Sequence, residues 1–194
     1  MAIKKKTVII VAVIIAFLGI IGVGSGYTVY LRVMAPNVAV QEDVSLYVKP
    51  TFNLDSILVQ TQKLQLFKND GSFEWWANRQ NLGSHLTAGR YVITPGMSNR
   101  EIVNLLMSGR QTPVNVTFNN IRTKADFAGR IGEQLIADSS DFVAYFDSSA
   151  YFSTLGLNKD NFMTIFIPNT YELYWNTDAE GFVKRMAKEH DNFW

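Results

Sequence analysis

The stretch 166–175, FIPNTYELYW, gathers the side chains best suited to chemistry. Asn169, Thr170, Tyr171 and Glu172 stand in a row, with Trp175 close behind. One carboxylate among aromatic rings is an arrangement suited to a general acid, because an apolar surrounding keeps a carboxyl protonated near neutral pH. Asn169 and Tyr171 add an amide and a phenol that can bond a ligand's polar groups. These four residues are therefore the candidates for lining a substrate groove. The plainer reading is structural. Pro168-Asn169-Thr170 is then a corner held by side-chain-to-backbone bonds, and Glu172 a surface carboxylate in a polar–apolar alternation.

Other chemistries are excluded by composition. The chain has no cysteine, so it holds no disulfide, no thiolate zinc site and no cysteine nucleophile. Its two histidines, His85 and His190, stand far apart and read as solvated or structural. No metal site and no cofactor are expected. Trp75 and Trp76 are adjacent, so on a helix they point to different sides; one can pack while the other stacks on a ligand or meets a partner. Asn115-Val116-Thr117 fits a glycosylation sequon, a match expected by chance. Net charge is +1 over 194 residues. Lys4, Lys5 and Lys6 precede every acidic residue, and the remainder is nearly neutral, so the chain lacks the basic footprint of a nucleic-acid binder.

These side chains need elements to position them. Residues 1–6 form a basic start. Thr7 to Leu31 carry no charge, and a helix of that length reaches about 37 Å, enough to cross a bilayer core of about 30 Å. Residues 7–31 are read as a retained transmembrane helix. The run is longer than a signal-peptide core, and no Ala-x-Ala cleavage site follows it. The lysines before the run place the N-terminus in the cytoplasm and the C-terminal part in the periplasm. Tyr27 and Tyr30 suit the outer interface.

Residues 32–43, with Pro36, read as a stalk. A strand is expected at 44–50, a helix capped by Asn53 at 53–67, a turn at 69–72, a helix at 73–81 and a strand at 89–94. Ser98 and Glu101 form a capping box for a helix closed by Gly109. A strand at 112–118 follows, then a helix at 123–135 under a Thr123/Asp126 cap. Helical turns are expected near 140–147 and 149–154, and extended chain from Thr164 to Trp175. A last helix is expected to open on a Thr177/Glu180 box and run to Trp194. It ends on Asn-Phe-Trp without a terminator, from which the natural chain is expected to continue. The fold class is α+β: one membrane helix, a small α+β unit over 44–111, and the beginning of a mixed α+β domain over 112–194.

This ordered set resembles the YceG-like endolytic murein transglycosylases, also called MltG-type. LTAGRYVITPGMSNREIVNLLMSGR, 86–110, matches the family pattern aG-x-Y-x-[IL]-x-P-x-M-[ST]-x-x-E-[IM]-[LV]-x-x-L-x-x-G of a LysM-like unit. Pro168-Asn169-Thr170-Tyr171 matches the family's P-[DN]-T-[YW]. The aromatic version IPNTYELYWNT looks like the Bacteroidetes branch. The resemblance covers roughly residues 3–194. It implies a membrane-anchored lytic transglycosylase that cuts MurNAc–GlcNAc bonds inside nascent peptidoglycan strands and leaves 1,6-anhydro ends. The implied partners are glycan strands, the cytoplasmic membrane through residues 7–31, and peptidoglycan synthases. The family's catalytic glutamate lies on a helix well after P-[DN]-T-[YW], in a motif like A-S-I-[IV]-E-x-E, which this chain lacks. Catalytic residues are therefore expected beyond Trp194, making this the N-terminal part of the enzyme. Two further family acids align with Met163–Thr164 and with the segment Asn119–Thr123, neither of which carries a carboxylate. The alternative is a non-catalytic, membrane-anchored glycan-binding or synthase-docking module.

Overall fold

The computed structural model describes residues 2–119, 122–148, 150–158 and 160–194, with side chains from residue 9 onward. It begins with one uninterrupted helix, α1, Ala2–Met34. Its segment Ile9–Met34 is long and apolar enough to cross a membrane. The side chains from Ile9 to Leu31 are exposed, as those of a helix that meets lipid would be. Gly22 and Gly26 stand four apart and share a face with Gly19. The helix stops two residues before Pro36, because proline disfavours helical backbone in the residue ahead of it.

The rest forms two compact units. The first takes residues up to 44, 53–86 and 93–108. It holds α2 (Leu54–Lys63), α3 (Asp70–Arg79) and α4 (Asn99–Ser108), with the last turns of α1 against α3 and α4. Its core includes Val33, Val38, Ile57, Leu66, Phe73, Leu82, Ile102 and Leu106. The rings of Phe67 and Phe73 stack at 4.3 Å.

The second unit takes residues 45–52, 87–92 and 109–194. It contains most of the two-stranded sheet β1 (Val44–Val48) and β2 (Gly89–Ile93). A second sheet pairs β3 (Val114–Phe118) antiparallel with β4 (Asn169–Leu173). Helices α5 (Lys124–Gly132), α6 (Ser139–Ser148), α7 (Tyr151–Thr154) and α8 (Ala179–Phe193) complete it. Helix and strand mix throughout, as the α+β expectation has it. The core of this unit is rich in phenylalanine. Phe118, Phe127, Phe142, Phe146, Phe162, Phe166 and Phe182 are all buried, with centroid spacings such as 4.5 Å for Phe127–Phe166 and 5.5 Å for Phe142–Phe182. Gly132 lets α5 and α6 turn closely, since a Cβ there would sit 2.6 Å from the Ser139 nitrogen. Gly109 ends α4 with φ of 65°, the left-handed closure that glycine adopts freely.

Local chemistry explains the helix starts. At α4, Glu101 Oε2 accepts from Ser98 N (2.8 Å) and Ser98 Oγ (2.7 Å), and Glu101 N donates back to Ser98 Oγ. This is the capping box read from the sequence. Thr123 caps α5, accepting from Asp126 N. Elsewhere the structure differs from the reading. Residues 69–72, expected as a turn, open α3: Asn69 Oδ1 accepts from Ser72 N at 2.9 Å. Turn and cap use the same residue types, so composition alone does not separate them. The cap of α8 is Asp178, which accepts from Gly181 N, while Thr177 Oγ1 turns back to Tyr174 O. Thr164 and Ile165, expected as the start of the extended chain, instead close a 3₁₀ turn, Phe162–Ile165. In the segment read as a stalk, residues 32–34 are still α1, Pro36 pairs with Ser98 and Val38 with Phe67. Asn120 and Ile121, within the aligned Asn119–Thr123 segment, and Ser149, at the start of the expected 149–154 turn, lie outside the described residues.

The bond from Ser98 N, and then that from its hydroxyl, hold the Glu101 carboxyl below the usual carboxylate range. A lowered folded-state pKa means a contribution that is present above the unfolded value and lost as pH falls through the folded one. Glu101→Ala is expected to lower stability by about 1 kcal/mol at neutral pH. The gap from wild type should close as pH falls below the carboxylate range. Urea denaturation of the detergent-solubilised chain, followed by tryptophan fluorescence across pH, checks both.

Candidate functional site: an open groove beside the second sheet

The site grows out of the β3–β4 pair. Strand side chains alternate between faces. Val116, Phe118, Tyr171 and Leu173 point to the core, while Asn115, Thr117, Thr170 and Glu172 point outward. The register sets Asn115 opposite Glu172, and Thr117 opposite Thr170, their hydroxyl oxygens 2.8 Å apart. The free edge of β3 is closed by a side chain. Gln134, just past α5, accepts from Thr117 N (2.9 Å) and donates to Thr117 O (3.2 Å) and Arg130 O (2.6 Å).

Beside this edge lies an open cavity of about 490 Å³, lined by Tyr47, Val114, Asn115, Glu133, Gln134 and Trp175. The Tyr47 and Trp175 rings meet edge to face at 4.9 Å and 62°. Backbone bonds fix the wall: Trp175 O accepts from Ile136 N at 2.8 Å, and Asn176 Nδ2 donates to Ala88 O at 3.1 Å. A half-buried indole, two amides and a carboxylate around an open trough suit a flat, hydroxyl-rich ligand. The ring covers an apolar face, and the Asn115 amide and the carboxylate bond the hydroxyls at the edge. A smaller hollow of about 260 Å³ between α6 and α7 is lined by Phe146, Phe152 and Phe162 with Asp147 and Asn158.

The four residues singled out in the sequence part ways here. Glu172 is exposed and sits across the ladder from Asn115, a groove residue. Thr170 is exposed further along the same face. Asn169 is exposed at the strand end, where its Oδ1 accepts from Thr170 N at 2.8 Å. Tyr171 is buried: its ring stacks on Phe118 at 5.5 Å, and its hydroxyl donates to Ile167 O at 2.7 Å. Burial, then the nearby Glu189 carboxylate, pushes its phenol above the usual range, so it is a neutral donor bracing the Pro168 corner. Tyr47, Glu133 and Gln134 were not legible as site residues. They come from distant parts of the chain, and no local pattern marks them.

The carboxylates are as informative as the groove. Among the described residues no Asp or Glu is buried. Glu133 is exposed and lies 3.7 Å from Arg130, an ion pair of little energetic weight in water. Of the described carboxylates only Glu189 is half-buried, and it pairs with Arg185 at 2.7 Å. None of the carboxylates among the described residues is enclosed by apolar side chains. The described residues also contain no cluster of three or more metal-ligating side chains of the His, Cys, Asp and Glu types.

Fold and site together define a class: an α+β protein carrying a candidate membrane helix and an open, aromatic- and amide-lined groove. The YceG-like family model matches residues 46–194, and the chain belongs to that family. A search of curated proteins gives no match. Among solved structures, a Listeria monocytogenes protein assigned as YceG-like is similar at 18% identity and a TM-score of 0.42. The match covers 79% of this chain and 55% of that one, so this chain spans just over half of that protein's length.

Replacing Gln134 by Ala returns the Thr117 N–H and C=O to solvent. The expected cost is about 1 kcal/mol. Hydrogen exchange at the Thr117 amide should accelerate, while Val116 and Phe118, whose amides face β4 in the antiparallel ladder, stay protected. Amide exchange followed by NMR checks the pattern.

Proposed function

We propose that this chain is the membrane-anchored, glycan-binding part of an endolytic peptidoglycan transglycosylase. The observation that carries the reading is the groove of Tyr47, Asn115, Gln134 and Trp175 inside a chain of the YceG-like family. A glycan strand lies along the open trough with one sugar face on Trp175. Asn115, Glu133 and Glu172 bond its hydroxyls, Gln134 holds the β3 edge beside them with one Oε1 lone pair left to accept, and Asn169 and Thr170 extend the polar face. Tyr171 acts from beneath, by holding the corner. On this reading the N-terminus stays in the cytoplasm and the groove faces the periplasm, next to nascent strands and their synthases; the lysines ahead of the apolar run support that orientation.

The reaction needs one carboxylic acid. It gives its proton to the glycosidic oxygen as the bond from the muramyl anomeric carbon breaks, and O4 of the next sugar leaves as a hydroxyl. The muramyl C6 hydroxyl closes on the anomeric carbon and passes its proton to the same carboxylate. Water is not consumed, so the second carboxylate of ordinary glycosidases is not required. The exposed carboxylates described here are poor candidates for that acid. The proton donor is assigned to a segment beyond Trp194, and residues 1–194 bind without cutting. The exposure of Glu133 and Glu172 equally favours the second reading, a glycan-binding or synthase-docking module.

The test is digestion of uncrosslinked glycan strands by residues 1–194 in detergent, with products read by mass spectrometry. Strand binding without 1,6-anhydro ends is expected. Trp175→Ala should weaken binding roughly three- to tenfold, the range of one aromatic contact. Release of 1,6-anhydro products by this chain would overturn the assignment of the acid, and Glu133→Gln and Glu172→Gln would then locate it.

A further inference from the structure

The membrane helix does not end in a free linker. Asn99 Nδ2 donates to Arg32 O, one of the terminal carbonyls of α1, at 2.7 Å. Asn99 Oδ1 accepts from Asn37 Nδ2 at 2.8 Å, and Asn37 Nδ2 also reaches Asn69 O at 3.0 Å. Asn37 Oδ1 in turn accepts from Asn69 N at 3.0 Å. Ser72 Oγ joins both amides, at 3.2 Å from Asn37 and 2.9 Å from Asn99. Asn37, Ser72 and Asn99 are all buried, and Val33 is 6% exposed. A buried, satisfied polar network of this kind fixes one geometry. The end of α1 is thereby locked to the starts of α3 and α4.

That lock brings a set of side chains to the point where α1 would leave the bilayer. Arg32 and Arg79 both lie over the Trp75 ring, at 5.8 and 5.9 Å from its centroid. The Arg100 guanidinium contacts Met34 Sδ at 3.7 Å. Tyr27 and Tyr30, exposed on α1, are the aromatic residues that favour the membrane–water boundary. Tyr30 precedes Arg32 by a rise of only about 3 Å. Arg32 therefore falls at headgroup level, and Trp75 with it. Trp75 and Arg79 are one helical turn apart on one face of α3. The α3 carboxylates Asp70 and Glu74 turn to neighbouring faces by helix geometry, and Glu101 is held by Ser98.

We propose that Arg32, Trp75, Arg79 and Arg100 form a collar that docks the first unit on the bilayer surface and selects anionic phospholipid. The guanidinium groups take headgroup phosphates, and the Trp75 indole lies at the interface. The inference rests on α1 spanning the membrane. It holds for either orientation, since the collar sits wherever the C-terminal end of α1 emerges. It is also independent of glycan binding and of catalysis.

The test uses the full chain in nanodiscs of phosphatidylcholine, alone or mixed with phosphatidylglycerol, each doped with a headgroup-spin-labelled lipid. Tryptophan quenching is read. Quenching should be stronger in the phosphatidylglycerol mixture, and Trp75→Phe should remove most of that component. The Arg32→Gln, Arg79→Gln, Arg100→Gln variant should bring the mixture down to the phosphatidylcholine level, each arginine weighing on the order of fivefold in the docked population. Equal quenching in the two lipids, or the same quenching with and without Trp75, would overturn the proposal. The lipid comparison on the unaltered chain stands whether or not a variant folds.

Discussion

A two-stranded antiparallel ribbon is marginal in water, because one of its faces has nothing to bury against. In the second unit that face is met by the phenylalanine cluster around Phe127, Phe146, Phe166 and Phe182. Burying Val116, Phe118, Tyr171 and Leu173 against those rings fixes the β3–β4 register, since a slip of either strand by one residue would turn its two core side chains to solvent. The position of every groove residue follows from that register. Asn115 faces outward because Val116 faces inward. Glu172 stands opposite Asn115 because Tyr171 is opposite Val116. Gln134 finds Thr117 because the unpaired edge of β3 is held still.

The first unit depends on a different kind of contact. Its packing around α2, α3 and α4 is aliphatic apart from the Phe67–Phe73 pair, but its attachment to α1 is polar and buried. Three short side chains, Asn37, Ser72 and Asn99, satisfy one another and the last turns of the helix. Leaving any one of them unpaired in that interior would cost more than the bond itself contributes. The segment 32–38 is therefore structure, and the first unit has a defined attitude to the end of α1.

Much of this was legible in the sequence where the signal is local. An uncharged run of membrane length announces α1. The capping residues Asn53, Ser98 and Thr123 announce α2, α4 and α5, because a cap is a bond between residues three apart. The Pro168 corner was legible, as was the alternation that makes Glu172 outward. What stayed hidden depends on distance in the chain or on shared chemistry. Asn69 reads equally as turn or cap, and Asp178 competes with Thr177 for one helix start. The Trp175 partner Tyr47, the Gln134–Thr117 bonds and the Asn37–Asn99 contact join residues that no periodicity relates. The role of Tyr171 in the core could be suspected from alternation, but its bond to Ile167 O required the corner itself.

The central claim is that the groove between Tyr47, Trp175 and the β3 edge is where this chain meets glycan. The most direct measurement is an NMR titration of the detergent-solubilised chain with uncrosslinked glycan oligosaccharide, following side-chain N–H resonances. The account predicts saturable shifts at the Trp175 indole and the Asn115 and Gln134 amides. The backbone around Phe146 and Phe152 should stay unmoved. Shifts confined to the α6–α7 hollow, or none at all, would contradict it.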